Sequence, residues 1–406
     1  MNAKNAWVER AHSHFSEDFG SSAEWVAVAP GRVNLIGEHT DYNDGLAVPC
    51  ALDRRTLVLG APRGDRKVRV HAWDLDEAGE FLSDAPERRE SWLDYVQGVF
   101  FALAERGFDL PGFDLGITST VPLNSGLSSS AALGVALVVG LNAALELDLS
   151  PSDWARVAHR GENGFVGVQC GLLDHFASAL GRDRHALRID CRSQTVEPIP
   201  IAGAGFSILL VHSGVERRLA DGVYGERVAE CRRALGAAQA AGIAPPSARA
   251  LRDLSEAQLP RLERALDPIE FRRVRHVIGE NARADAFCRA LVEGDTQSLG
   301  TLLAQGQASL REDYEVSTPE LDWLCELGSR CDGVVGSRLT GAGLGGFTLH
   351  LVVPDQLEAA REQIGEGFRA RFGRLPESLT ALPSRGAYLE DSVQDSVQDS
   401  VEDSTP

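Results

Sequence analysis

The spacing of apolar and polar residues predicts a mixture of strands and helices. The apolar run Trp25–Ala29 predicts a short strand, which Pro30-Gly31 then interrupts, and turn-forming residues follow at Asp41–Gly45. Between Trp92 and Leu103 the apolar residues recur every three or four positions, which predicts an amphipathic helix. Other runs with the pattern of strands are Thr56–Gly60, Lys67–Trp73, Phe113–Thr120, Gly205–His212, Gly333–Leu339 and Gly346–Val353.

Strands and helices are mixed in the first half of the chain, whereas helices dominate much of the second half. Strands that interleave unevenly with clustered helices favour an α+β fold of two domains over a regular βαβ array. The further predicted helices are Ser128–Leu145, capped by its own serines, Ser150–Gly161, Gly222–Leu327 with breaks near Pro245 and Pro260, and Asp355–Phe372.

The domain organisation follows from length and from the composition of the last residues. A chain of 406 residues is too long for one ordinary core. We therefore expect an N-terminal domain at residues 1–200, a C-terminal domain at residues 201–387 and a tail at residues 388–406. The tail repeats DSVQ-DSVQ-DSVE-DS, and this acidic, low-complexity run predicts disorder. Its valines, spaced four apart, leave open a weak helix or a docking stripe.

Composition argues against several classes of function. A net charge of −19 disfavours a nucleic-acid partner, because neutralising phosphates requires a basic face. The seven cysteines include no CxxC pair, and the chain shows neither a signal peptide nor a membrane span. We therefore expect a reduced, cytoplasmic protein without a membrane partner. The only lysines, Lys4 and Lys67, follow no glycine-rich loop, which excludes the common GxxxxGK phosphate-binding loop.

Two glycine-containing segments are candidate ligand-binding loops. Ser125–Ala132, SGLSSSAA, runs into a predicted helix, whose free N–H groups and dipole suit a phosphate. An ordinary serine-capped helix is the alternative interpretation. Leu339–Phe347, LTGAGLGGF, joins two predicted strands. Its four glycines permit either close approach of the backbone to a ligand or simply a tight connection.

Charged residues cluster in two further segments. The stretch RVNLIGEHTDY combines one arginine with Glu38, His39 and Asp41, and such donors and acceptors suit the hydroxyl groups of a sugar. A solvated turn or a metal site is the alternative, although the spacing is unlike that of a zinc site. Glu162 and Asp174 lie at predicted helix ends, where single carboxylates are common. Together with a phosphate loop, they could hold a metal ion and serve as a base.

These segments, in this order, resemble the GHMP kinase family. APGRVNLIGEHTDYNDG is similar to the galactokinase signature, GLSSSAA to the family's phosphate loop and LTGAGLGGF to its third glycine-rich motif. GENARADAF, ALVEGD, SLREDYEVSTPELD and GVVGSR extend the resemblance, which covers about Phe15 to Phe372. It implies an α+β, two-domain fold with a ribosomal-protein-S5-domain-2-like N-terminal domain and a ferredoxin-like C-terminal domain. The resemblance also implies an active site in the cleft between them.

The resemblance implies that the protein phosphorylates the C1 hydroxyl of D-galactose with ATP, giving galactose 1-phosphate, and that Mg²⁺ is the cofactor. We expect the protein to be a monomer. Asp174 matches the catalytic aspartate that takes the hydroxyl proton, and Arg32 matches the arginine beside it. Ser130 and Glu162 match the magnesium ligands. The positions matching sugar contacts are Glu38, His39, Thr40, Asp41, Gly171, Asp174 and Tyr224, and those matching ATP contacts are Asn124, Ser125, Gly126, Leu127, Ser128, Ser129 and Ser130.

Several positions depart from the family pattern. Gly171–His175 reads GLLDH where the family has GIMDQ, which places a histidine beside the base. Asn124-Ser125 replaces Gly-Ala, GAGLGG replaces GGGFGG, and Ala72 stands where a serine is common. The alternatives are a related kinase for N-acetylgalactosamine, arabinose or a uronic acid, and a non-catalytic galactose sensor. Glu38, His39 and Asp41 together favour galactose.

Overall fold

The computed structural model describes residues 3–123, 126–168, 170–201, 205–215 and 220–390. The described chain divides into two compact units. The first unit holds the residues up to Arg32, Asp53–Gly181 and the residues from Arg385 on, and the second holds Val33–Leu52 and Arg182–Ser384. This division differs from the single boundary predicted near residue 200, because two long strands each contribute residues to both units.

Helices and strands alternate unevenly along the chain. In chain order they are α1 (Ala3–Phe19), β1 (Trp25–Ile36), β2 (Leu46–Pro62), β3 (Lys67–Ala72), β4 (Glu77–Leu82), α2 (Leu93–Glu105), β5 (Phe113–Ser119), α3 (Ser129–Ala144), α4 (Pro151–Arg160), α5 (Leu173–Leu180), β6 (His185–Asp190), β7 (Thr195–Pro200), β8 (Ser207–His212), α6 (Ala220–Ala240), α7 (Leu259–Ala265), α8 (Pro268–Glu293), α9 (Thr296–Glu312), α10 (Pro319–Arg330), β9 (Val334–Leu339), β10 (Phe347–Val352), α11 (Leu357–Phe372), β11 (Ser378–Ala381) and β12 (Tyr388–Leu389). Every strand and helix that the residue pattern predicts has a counterpart, although several bounds differ.

The first unit is built on a sheet in the order β12-β1-β2-β5-β3-β4. Strands β3 and β5 run parallel, with Arg69 opposite Asp114, whereas β3 and β4 are antiparallel. Helix α1, which the residue pattern did not predict, buries Val8, Ala11 and Phe15 against residues of β1 and β2. Because these residues recur at helical spacing, α1 presents one apolar face to the sheet.

Strand β1 continues through Pro30 and Gly31, so the predicted break there is wrong. The φ angle of proline is compatible with extended backbone, and the Pro30 carbonyl accepts a hydrogen bond from Ser178 Oγ at 2.7 Å. At Gly31, a Cβ atom would lie 2.6 Å from the carbonyl oxygen of Leu127. Glycine therefore lets the loop before α3 approach the strand, and Arg32 N donates to Leu127 O at 3.0 Å.

The second unit contains two groups of strands. Strand β6 pairs with the beginning of β2 and with β7, and a separate antiparallel sheet has the order β11-β8-β10-β9. Helices α10 and α11 cover this sheet with Leu324, Ile364 and Phe368. A second core joins α6 and α8 and includes Tyr314. Within the described residues, no helix is long and apolar enough to cross a membrane.

After the chain returns to the first unit at Arg385, Tyr388 and Leu389 pair with Val28 and Ala27 as edge strand β12. These two residues were predicted to belong to a disordered tail, and that part of the prediction is wrong. Tyr388 packs against the core of α1, β1 and β2, and its hydroxyl accepts a hydrogen bond from Arg55. The acidic repeat at residues 391–406 lies outside the described residues.

We predict that a chain ending after Glu390 unfolds at the same denaturant concentration as the full chain. A chain ending after Ala387 loses the β12 pairing and the Tyr388 contacts, and we expect it to be less stable by about 1–2 kcal/mol. Urea unfolding of the three proteins measures both effects. Equal stability of the two truncated chains would contradict a structural role for β12.

Candidate functional site

The predicted phosphate loop is described from Gly126 onward, and Asn124 and Ser125 lie outside the described residues. Gly126 and Ser128 both have positive φ angles, and α3 begins at Ser129. Ser128 makes no side-chain cap, contrary to the prediction that serines cap this helix. Instead its hydroxyl group donates to Asp174 Oδ2 at 2.5 Å. The loop thus contacts the predicted catalytic aspartate directly.

Arg32 joins the same aspartate to the loop. Its Nε and Nη2 atoms donate to Asp174 Oδ1 at 2.7 and 2.5 Å, and its Nη1 atom donates to the carbonyl oxygen of Gly126 at 2.7 Å. Asp174 lies in the first turn of α5, where the helix dipole favours a negative charge. The structure therefore brings together Arg32, the loop residues Gly126 and Ser128, and Asp174, which come from three distant segments of the sequence.

The Asp174 carboxylate is held ionised. Burial alone would raise its pKa, but the Arg32 guanidinium and the hydrogen bond from Ser128 outweigh that effect, so the pKa lies below its ordinary value. About a quarter of the side chain stays exposed, at 26%. A proton acceptor of this kind is available at neutral pH and is still reachable by a ligand.

Ser130 and Glu162, the predicted magnesium ligands, also lie together. Ser130 Oγ donates to Glu162 Oε1 at 2.8 Å. Glu162 belongs to a wide, π-helical turn, Gly161–Val166, that continues α4. A Cβ on Gly98 would lie 2.8 Å from the Gly161 carbonyl oxygen, so glycine there allows α2 to approach this turn. Hard hydroxyl and carboxylate oxygens are the ligands that Mg²⁺ prefers.

His175, one of the residues that depart from the family pattern, contacts Glu162 of this pair. Its Nε2 atom lies 2.9 Å from Glu162 Oε2, and its ring packs edge-on against His159 at 5.3 Å. The sequence places His175 beside Asp174 but gives no sign of its contact with Glu162.

Among the described residues, no group of three or more His, Cys, Asp or Glu side chains could hold a metal ion. Gly171 lies in the loop just before α5.

In the second unit, Glu38 forms part of a buried charged cluster. Its Oε2 atom accepts a hydrogen bond from Arg338, which also donates to Glu280 at 2.9 Å. Glu280 in turn accepts from Arg283 at 2.8 Å and from the amide of Gly37 at 3.0 Å. Burial raises the pKa of Glu38 to about 7 despite the nearby Arg338, whereas the two arginines hold the pKa of Glu280 low against its own burial.

Three buried polar atoms of this cluster, Glu38 Oε1, Arg338 Nη1 and Arg283 Nη2, have no hydrogen-bond partner within the described residues. Glu38 Oε1 is buried and makes no hydrogen bond within the described part of the chain. A buried carboxylate oxygen without a donor is costly, so this atom is suited to accept a hydrogen bond from a ligand hydroxyl. Arg338 and Glu280 were not predicted as functional residues. No local pattern marks either residue, because α8, which carries Glu280, contains many other charged residues and the partners of Arg338 are distant in the sequence.

The side chains that follow Glu38 in the sequence mostly make hydrogen bonds to other groups of the protein. His39 has a left-handed backbone, and both of its ring nitrogens have protein partners. The Thr40 hydroxyl group lies 2.8 and 2.7 Å from the carbonyl oxygens of Gly37 and Leu46, so it stabilises the turn itself. The Tyr224 hydroxyl lies 3.5 Å from Asp41 Oδ2. The structure thus brings the predicted sugar-contacting residues of this unit together around one turn.

Three family models match the chain. The galactokinase galactose-binding signature matches residues 13–62, the GHMP kinases N terminal domain matches residues 94–182, and the GHMP kinases C terminal model matches residues 287–370. A galactokinase from Roseiflexus sp. (strain RS-1) is 42% identical over 361 residues, which is 89% of this chain and 91% of that protein. The chain belongs to the galactokinase family. A galactokinase from Chloroflexus aurantiacus is 40% identical over 377 residues, covering 92% of this chain and 96% of its own.

Solved structures agree with this assignment. The crystal structure of Lactococcus lactis galactokinase complexed with galactose has a TM-score of 0.89 at 33% identity, covering 94% of this chain and 99% of that one. Methanococcus jannaschii mevalonate kinase, at 17% identity and a TM-score of 0.63, covers 90% of this chain and 99% of its own and shares the fold. The expected GHMP kinase fold is therefore confirmed, and the protein is an ATP-dependent sugar kinase.

The buried cluster around Glu38 leads to a stability prediction. Arg338→Met leaves Glu38 and Glu280 buried without their shared cation, and we expect a loss of about 3–5 kcal/mol in the free energy of unfolding. Arg361→Met is the matched control, because it breaks an exposed pair with Glu358 and should cost less than about 0.5 kcal/mol. Chemical denaturation measures both values. Similar losses in the two variants would contradict the importance of the cluster.

Proposed function

We propose that this chain transfers the γ-phosphoryl group of ATP to the C1 hydroxyl of D-galactose, giving galactose 1-phosphate. The observation that carries the proposal is the ionised Asp174, bonded to Arg32 on one oxygen and to Ser128 of the phosphate loop on the other. The galactokinases among its relatives, and the galactose complex of the Lactococcus lactis enzyme, support the choice of substrate.

In this proposal Asp174 accepts the proton of the attacking hydroxyl group. The lowered pKa means that the carboxylate is unprotonated and ready to do so at neutral pH. Arg32 orients the carboxylate, and its positive charge favours the negative charge that spreads over the transferring phosphoryl group. Positioning and charge neutralisation together supply most of the catalysis in such a transfer.

We assign the phosphate contacts to the backbone of residues 124–130 and to the N-terminus of α3. Ser130 and Glu162 would hold Mg²⁺, whose role when bound is to neutralise charge on the phosphates. Their hydroxyl and carboxylate oxygens are already 2.8 Å apart, which fits two ligands of one small cation. We assign sugar contacts to Glu38, His39, Thr40, Asp41, Gly171, Asp174 and Tyr224. A monomeric, cytoplasmic enzyme completes the proposal.

The role of Asp174 predicts the behaviour of Asp174→Asn. The amide cannot accept the hydroxyl proton, so we expect turnover to fall by at least about 100-fold while sugar and nucleotide still bind. Steady-state kinetics and calorimetric titration measure the two properties separately. The control is Asp148→Asn, the same exchange at an exposed position of the first unit, which should leave turnover unchanged. Near-normal turnover of Asp174→Asn would remove Asp174 from the role of base.

The substrate is tested by measuring ADP release with galactose, N-acetylgalactosamine, glucose, arabinose and galacturonate. We expect the highest kcat/KM with galactose, and a higher kcat/KM with another sugar would reassign the substrate.

The role of Glu38 is tested with Glu38→Gln, in which a neutral amide replaces the carboxylate. We expect the KM for the sugar to rise about tenfold, as for the loss of one good hydrogen bond, while the KM for ATP changes little. Equal changes in the KM for the sugar and the KM for ATP would exclude Glu38 from sugar binding.

A further inference from the structure

A chain of buried side chains leads from His39 of the sugar signature to Tyr42, Tyr314 and Cys231, which have no role in the proposed reaction. His39 Nε2 lies 3.1 Å from the carbonyl oxygen of Ala342, and His39 Nδ1 lies 2.9 Å from the hydroxyl of Tyr42. The Tyr42 hydroxyl lies 2.8 Å from that of Tyr314, which lies 3.2 Å from the thiol of Cys231. All of these contacts lie within the second unit.

The direction of every hydrogen bond in this chain follows from its first member. A carbonyl oxygen can only accept, so His39 carries its proton on Nε2 and donates it to Ala342. Nδ1 must then accept from the Tyr42 hydroxyl, which in turn accepts from Tyr314, and Tyr314 accepts from the Cys231 thiol. Each hydroxyl has one proton, so no other order satisfies all four contacts.

The ionisation states agree with this order. Burial lowers the pKa of His39 to about 3, so the ring is neutral at physiological pH and has one donor and one acceptor nitrogen. Burial also raises the pKa values of Tyr42 and Tyr314 well above the ordinary value, so both phenols keep their protons. Neither ring nitrogen of His39 is left to bind a sugar hydroxyl.

Tyr314 occupies the centre of this arrangement. Its ring contacts two histidine rings, with centroid distances of 4.7 Å to His39 and 4.3 Å to His276. His276 Nε2 lies 3.1 Å from the carbonyl oxygen of Glu38, so the second histidine holds the backbone of the adjacent residue. Glu38 is therefore held by His276, and His39 is held by Tyr42. Both of the holding residues contact Tyr314.

The backbone of His39 needs such support. Its φ angle of 62° is in the left-handed region, which costs a residue with a side chain roughly 1 kcal/mol or more. The left-handed residue follows Glu38 directly and precedes the turn that carries Asp41. Any change in the His39 ring position is thus transmitted to the two acidic side chains assigned to the sugar.

We propose that Tyr314 is a positioning residue for sugar binding, which acts through Tyr42 and the His39 ring and fixes the turn that presents Glu38 and Asp41. His39 then serves the sugar through the geometry of its backbone, and its ring links the signature to the glycine-rich loop at Ala342. This inference rests on the proposed function, since it assumes that the turn binds the sugar.

The test combines kinetics with a spectroscopic measurement. Tyr314→Phe keeps the ring but removes the hydroxyl that donates to Tyr42. We expect the KM for galactose to rise about tenfold, the equivalent of one lost hydrogen bond, with kcat and the KM for ATP within about twofold of the unmodified protein. Tyr388→Phe is the matched control, because it removes a tyrosine hydroxyl from edge strand β12, and it should change none of these constants.

The second measurement is ¹⁵N NMR of histidine-labelled protein, with His39 assigned from the spectrum of His39→Gln. We expect the proton on Nε2 and an unprotonated, hydrogen-bonded Nδ1, and we expect the Nδ1 resonance to move in Tyr42→Phe. A proton on Nδ1 would overturn the network, and an unchanged KM for galactose in Tyr314→Phe would overturn the positioning role. If the unmodified protein phosphorylated no galactose, the proposed function would fail, while the NMR result would still decide the order of the hydrogen bonds.

Discussion

A carboxylate that is to accept a proton from a sugar hydroxyl must be both ionised and close to the backbone that we assign to the phosphates, and these two requirements oppose each other. Burial near the loop disfavours the charge of Asp174. The contact with Arg32 resolves the conflict, because the guanidinium stabilises the carboxylate and at the same time binds the loop through Gly126. The long strand β1, the close approach at Gly31 and the turn at Ser128 all serve to bring these groups together.

The second unit also contains buried carboxylates, and a different arginine stabilises them. Glu38 and Glu280 share Arg338 in a fully buried position, and a missing cation there would leave Glu38 without a cation and Glu280 with Arg283 alone. The shared arginine leaves one oxygen of Glu38 without a protein donor among the described residues. Such an arrangement holds an acceptor ready for a ligand at the cost of stability, which is typical of a binding site.

The type of reaction could be predicted from the sequence, whereas most of the tertiary contacts could not. Strands and helices with clear periodicity were predicted close to their observed positions. Short motifs of one family identified Arg32, Asp174, Ser130 and Glu162 as candidate site residues. Helix α1 was missed, because its three core residues lie among many charged ones. Residues that act through long-range contacts, such as Arg338 and Tyr314, have no local pattern. Their partners lie 300 and 272 positions away along the chain, so only the fold reveals them.

The ionisation state of Asp174 is the central claim, and carbon NMR of its side-chain carboxyl group measures it directly. With ¹³C-labelled aspartate, and Asp174→Asn for assignment, the resonance can be followed from neutral pH down to about pH 4.5, where an ordinary aspartate is still mostly ionised. The contacts with Arg32 and Ser128 predict no protonation of Asp174 in this range. A titration step above about pH 4.5 would show that burial outweighs Arg32, and it would contradict the proposed role of the Arg32 contact.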